Sequence, residues 1–82
     1  MEKFFEYLKI EKNYSPKTVI AYQNDINSFK EFISDEFQQS SLIKVNYSQI
    51  RSWIVLLVNS GISNKTINRK ISSLNSFYKF LK

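Results

Sequence analysis

Apolar residues recur along this 82-residue chain at spacings of three and four and nowhere alternate with polar ones over a long stretch, so its period is that of the α-helix. Four segments carry it. The first, about Glu2 to Lys12, turns Phe4, Phe5 and Leu8 toward a core, with Tyr7 on the flank. The second opens with Ser15 as N-cap and Pro16 at the first helical position, where a missing N–H costs nothing. Val19, Tyr22, Ile26, Phe29 and Ile33 follow over about twenty residues, or roughly 30 Å of helix. The polar run Gln38-Gln39-Ser40-Ser41 interrupts the pattern, and a connection through Tyr47 packs Leu42 and Val45 downward.

Ser48 is expected to cap a third helix facing inward with Ile50, Trp53, Ile54 and Leu57. Leu56 and Val58 widen that face until it is apolar nearly all round, which predicts the central helix of the fold. Gly61 supplies a left-handed C-terminal position, and Ser63 caps a fourth helix carrying Ile67, Ile71, Leu74, Tyr78 and Leu81. So short a link forces a sharp, helix-turn-helix-like corner between helices three and four. The opposite face of helix four reads Lys65, Asn68, Arg69, Ser72 and then Asn75 or Ser76, without an acid or a large apolar residue. Solvated faces ordinarily mix charge signs, and this one does not.

A local rule is broken at three helix starts. The positive end of the helix dipole favours Asp or Glu in the first turn and disfavours a cation by ~0.3–1 kcal/mol. Here Ser15-Pro16-Lys17-Thr18 and Ser63-Asn64-Lys65-Thr66 each set a lysine and a threonine behind a serine cap, and Arg51 is expected in the first turn of helix three. Free N–H groups, a lysine and hydroxyls gathered at a helix start have the chemistry of a phosphate site. A rule broken in one direction at several helix ends points to a ligand that compensates it.

The charge layout agrees. The net charge is +5, with an isoelectric point near 9.6. All seven acids lie in the first 36 residues beside five lysines, a balance of −2, whereas residues 37–82 hold seven basic residues and no acid, +7. A basic half with nothing to neutralise it calls for a polyanion. With no Cys and no His, thiolate chemistry, zinc fingers and the commonest general base are excluded, and no catalytic residue, metal or cofactor is assigned. The longest strongly apolar run, Trp53 to Val58, is far short of the ~20 residues that cross a bilayer. No signal peptide is evident, which leaves the cytoplasm as the expected location. At 43% hydrophobic residues the chain has enough apolar material to order itself, as one domain over residues 1–82.

The opening FFEYLKIEKNYSPKT, the Val45-Tyr47-Ser48-Ile50-Trp53 entry to helix three, and SNKTINRKISSLNSFYKFL from Ser63 to Leu81 follow one another in an order that resembles the N-terminal core-binding, or SAM-like, domain of tyrosine recombinases and phage integrases. The resemblance covers the chain end to end. It implies an all-α, compact four-helix orthogonal bundle, the N-terminal part of a longer recombinase, forming half of a C-shaped clamp on double-stranded DNA. It also implies contacts to DNA from Ser15, Lys17 and Thr18 of helix two and from Lys65, Thr66, Asn68, Arg69 and Ser72 of helix four. Lys17 and Lys65, with Lys70, are candidates for phosphates, and Asn68 and Arg69 for base edges. Two positions depart from the family pattern: Asn75 stands where a basic residue is frequent, and Tyr14 where leucine is usual. The nucleophilic tyrosine of such enzymes and its arginine, lysine and histidine partners belong to a downstream catalytic domain, so this chain is expected not to be an enzyme by itself. Other protomers on DNA are implied partners, a membrane is not, and the isolated chain is expected to be monomeric. The alternatives are a protein–protein module using exposed Phe5, Phe32 or Phe37, and a free-standing regulator, for which no dimer helix is evident.

Overall fold

The computed structural model describes residues 2–81; Met1 and Lys82, the latter counted among the basic residues above, lie outside it. Four helices follow in order: α1 (Glu2–Ile10), α2 (Pro16–Phe37), α3 (Tyr47–Asn59) and α4 (Asn64–Leu81). The all-α prediction holds, and each helix falls on one of the periodic segments. α2 is the hub and packs against each of the other three. The expectation that α3 is central is corrected: Val55, Leu56 and Val58 on its outer side are exposed. Helix α3 carries more apolar residues than one contact stripe needs, and only Trp53 and Leu57 of them are fully buried.

Phe4 and Leu8 of α1, Val19, Ile26, Phe29 and Ile33 of α2, Leu42 of the connection, Trp53 and Leu57 of α3, and Ile67, Leu74 and Phe77 of α4 make one core. Its aromatic rings meet edge to face, Phe29 with Trp53 at 5.0 Å between centroids and Phe4 with Phe77 at 5.3 Å, the arrangement that ring quadrupoles favour. Leu81, expected on the core stripe, is exposed; Phe77, one turn earlier, fills that end of the core instead.

The corner between α3 and α4 is a Schellman motif. The Ile62 N–H donates to the Leu57 carbonyl at 3.1 Å and the Gly61 N–H to that of Val58 at 3.1 Å. Gly61 takes the left-handed conformation, φ 80°, where a side chain is strained. At the other end of α3 the cap differs from expectation. Asn46, not Ser48, is the N-cap, in a capping box where the Gln49 N–H donates to Asn46 Oδ1 and the Asn46 N–H to Gln49 Oε1, both at 3.0 Å. Two reciprocal bonds outcompete the single bond that a serine offers. Helix α3 therefore starts earlier and Arg51 moves out of its first turn.

Tyr78 ties α4 to the connection, its hydroxyl donating to the Leu42 carbonyl at 2.7 Å. Burial pushes this phenol up to about 12. A folded value above the unfolded one means stability that is complete below pH 10 and is lost as the pH rises toward 12. Tyr78→Phe should cost about 1 kcal/mol near neutrality and flatten the alkaline fall in melting temperature. Thermal melts of both proteins from pH 8 to 11.5 check this; equal alkaline slopes would contradict it.

Candidate nucleic-acid interface

The two Ser-x-Lys-Thr starts fold alike. At α2 the Thr18 N–H donates to Ser15 Oγ at 3.3 Å, and the two hydroxyls lie 3.0 Å apart. At α4 the Thr66 N–H donates to Ser63 Oγ at 3.3 Å, and the Ser63 hydroxyl bonds to Thr66 Oγ1 at 3.1 Å. In each case threonine stands at the position where a capping box has Glu or Gln, but its hydroxyl meets the serine hydroxyl rather than the cap's backbone N–H, and the turn carries no acid. The first turns of α2, α3 and α4 contain none. The positive helix ends are thus left uncompensated by the chain itself.

Of the candidates, Ser15, Lys17, Lys65, Asn68, Arg69 and Ser72 are exposed, and Thr18 and Thr66 are half-buried. Helix α4 runs antiparallel to α2. Tyr14 and Tyr22 share a cleft with Ser72, Asn75, Ser76 and Lys79, while Asp25, farther along α2, meets Arg69 and Ser73. The start of α2 thus lies beside the C-terminal half of α4, and the two Ser-x-Lys-Thr turns stand apart. Between Lys65 and Ser76 the helix rises by roughly 16 Å, comparable with the ~12 Å width of a DNA major groove. The row Lys65, Asn68 and Ser72 occupies the space between.

One residue that periodicity did not single out organises this face. Asp25 is wholly buried and its carboxylate accepts four hydrogen bonds. Oδ1 receives Arg69 Nη2 at 2.8 Å and Lys70 Nζ at 3.1 Å; Oδ2 receives Arg69 Nε at 3.1 Å and Ser73 Oγ at 2.7 Å. Two carboxylate oxygens offer about four acceptor sites, so the group is saturated. Burial pushes this carboxyl up, but the hydrogen bonds from Arg69, Ser73 and Lys70 more than reverse that and hold it below its ordinary value. The α4 face, acid-free in sequence, therefore has an acid beneath it in space. Lys70, read above as a phosphate candidate, is corrected: its side chain is only 13% exposed, and Nζ lies between Asp25 and the Trp53 ring, 5.8 Å from the centroid. Arg69 keeps 44% of its side chain exposed. The signal for Asp25 was its register, three after Tyr22 and four before Phe29, which sets an acid on the apolar stripe of α2.

Among the described residues no three acidic, His or Cys side chains gather as a metal would need. Among the same described residues no helix is long and apolar enough to cross a membrane.

An all-α bundle with a basic, hydroxyl-rich helix face is a common kind of nucleic-acid module, and the comparisons assign the family. The model of the phage integrase N-terminal SAM-like domain matches residues 1–82, and the chain belongs to that family. Tyrosine recombinase XerC of Anoxybacillus flavithermus is 49% identical over 78 residues, 95% of this chain and 26% of that protein. The protein of the same name in Oceanobacillus iheyensis is 42% identical over 81 residues, 99% of this chain and 26% of the relative. That of Halalkalibacterium halodurans is 40% identical over 80 residues, 95% of this chain and 25% of the relative. The chain spans about a quarter of the length of the curated relatives it matches. No solved structure matches it.

Proposed function

We propose that this chain is the DNA-gripping domain of a tyrosine recombinase, forming half of a clamp whose other half is a catalytic domain elsewhere in the same polypeptide. The start of α2, through Ser15, Lys17 and Thr18, and the outer face of α4, through Lys65, Thr66, Asn68, Arg69 and Ser72, meet the duplex in and beside the major groove. The observation that carries this is the pair of acid-free Ser-x-Lys-Thr helix starts flanking the outer face of α4. Lys17 and Lys65 neutralise phosphates, the helix N-terminal N–H groups assist them, and Asn68 and Arg69 face the base edges. Residues 1–82 act as one domain, which works in the cytoplasm and carries no catalytic residue of its own.

Most of the affinity then comes from counterion release, and each lost phosphate contact removes ~0.9 from the slope of log K against log salt. Lys17→Ala and Lys65→Ala should each lower the slope by about that amount, and the double variant by about twice it. Titrations of a labelled duplex against NaCl measure this. Slopes equal to that of the unaltered chain would reject the assignment. Both side chains are exposed, so the fold is unaffected.

Contact with other protomers on DNA is a second role, favoured by one observation. Of the phenylalanines suited to it, Phe5 and Phe32 are half-buried against the core, while Phe37 at the end of α2 is exposed. Val55, Leu56 and Val58 form a larger exposed apolar group on α3. The chain alone remains monomeric, and duplex brings copies together through that face. Sedimentation with and without duplex, on the chain and on Leu56→Ser, distinguishes the two roles.

A further inference from the structure

We propose that Asp25 is a positioning residue for DNA contact: it holds the Arg69 guanidinium in place on the outer face of α4 before any duplex arrives. The proposal rests on the DNA-gripping role argued above.

Arg69 is engaged edge-on. Its Nε and Nη2 both point to Asp25, at 3.1 Å and 2.8 Å, a bidentate fork that fixes the plane of the group. A guanidinium has five N–H donors. With one N–H on each of those nitrogens committed, both hydrogens of Nη1 and one of Nη2 remain, on the side of a side chain that stays 44% exposed. Those donors emerge midway along the outward row, with Lys65 four residues before and Ser72 three residues after, all on one face.

The carboxylate does not oppose the duplex it prepares for. Asp25 is wholly buried, and its single negative charge is met by two cations, Arg69 and Lys70, so the cluster is net positive. Lys70, held inward beside Trp53, balances the acid and leaves Arg69 charge to spare. Ser73 closes the last acceptor position from one turn further along α4, and its own position is fixed by the Asp25 bond. A long side chain otherwise loses rotamer freedom on binding; here the ordering is done when the chain folds.

A purely structural ion pair and a positioning one differ in sign when the acid is neutralised. Asp25→Asn raises the net charge from +5 to +6, so general electrostatics strengthens duplex binding. Positioning predicts the reverse: affinity falls by about 3- to 10-fold in the folded variant, and the loss vanishes when Arg69→Ala is already present. The experiment measures anisotropy of a labelled duplex with the unaltered chain, Lys17→Ala, Asp25→Asn, Arg69→Ala and the double variant Asp25→Asn/Arg69→Ala, at a temperature where circular dichroism shows each to be helical. Asp25→Asn binding as tightly as the unaltered chain, or tighter, overturns the proposal while leaving the DNA role intact. An unaltered chain that fails to bind at low salt, or is indifferent to Lys17→Ala, removes the DNA role and the proposal with it. A second measurement needs no variant. Nitrogen-detected spectra of Arg69 should show Nε–H unmoved on adding duplex while the Nη1 protons shift; Nε–H moving to the position of a free arginine, or Nη1 unmoved, overturns the proposal.

Discussion

Asp25→Ala should lower the stability of the fold by about 3 kcal/mol, the cost of breaking a buried ion pair from one side. The carboxylate removed is wholly buried and takes four donors. Arg69 can turn to water, which sets the figure at the lower end of the usual range, but Lys70 is left beneath α4 with an unpaired charge. In a chain of this size such a loss lowers the melting temperature by roughly 10–20 °C. The same group dictates the acid limb. Burial raises the Asp25 carboxyl and the bonds from Arg69, Ser73 and Lys70 lower it further, so it stands below its ordinary 3.8 when folded. A depressed folded value contributes stability that is present above the unfolded one and is lost as the pH falls through the folded one. Thermal melts of the unaltered chain should therefore be level on this account at neutral pH and fall below about pH 4, with a shallower acid fall in Asp25→Ala. A variant that melts within a degree or two of the unaltered chain would contradict the network.

Trp53→Ala should go further, costing about 3–5 kcal/mol, as much as a core of this size supplies altogether. Trp53 is 1% exposed; it meets Phe29 edge to face at 5.0 Å and lies under Lys70 Nζ. Its loss opens a cavity where α2, α3 and α4 meet and withdraws the ring that shields the Lys70 charge. Far-ultraviolet circular dichroism at 25 °C should show a largely unfolded Trp53→Ala, whereas Trp53→Phe retains helix with a lowered urea midpoint. A Trp53→Ala midpoint close to that of the unaltered chain would show that α3 does not depend on this contact.

Local chemistry was legible in the sequence where it is decided by neighbours along the chain. Ser15, Pro16 and Gly61 fix their helix ends through bonds spanning a few residues, and the core stripe of α2 from Val19 to Ile33 is set by helical spacing alone. Asn46 was missed because its cap depends on a partner, Gln49, whose glutamine had no evident role when serine at 48 offered a simpler cap. The misjudgement of α3 has a different origin. Leu56 and Val58 are apolar, but hydropathy does not say how many neighbours are available to cover a helix, and it is chiefly α2 and α4 that pack against α3. The Asp25 cluster lies furthest from sequence reasoning, since residues 44 to 48 positions apart meet only after α2 and α4 pack. Lys70 and Arg69 are adjacent in the chain and alike in charge, yet the packing turns one inward and leaves the other on the surface. The candidate interface was legible as a row on α4 and as two lysine-bearing helix starts; their separation was not, because it follows from the antiparallel course of α2 and α4.

The central claim is that the outer face of α4 and the start of α2 grip a DNA backbone, and the direct measurement is chemical-shift mapping of the 15N-labelled chain with a duplex oligomer at low ionic strength. The account predicts shifts concentrated at Ser15, Lys17 and Thr18 and at Lys65, Thr66, Asn68, Arg69 and Ser72, shrinking as salt is added, with Val55, Leu56 and Val58 unmoved when duplex is in excess and copies sit on separate duplexes. Shifts confined to α3, or none anywhere, would contradict it.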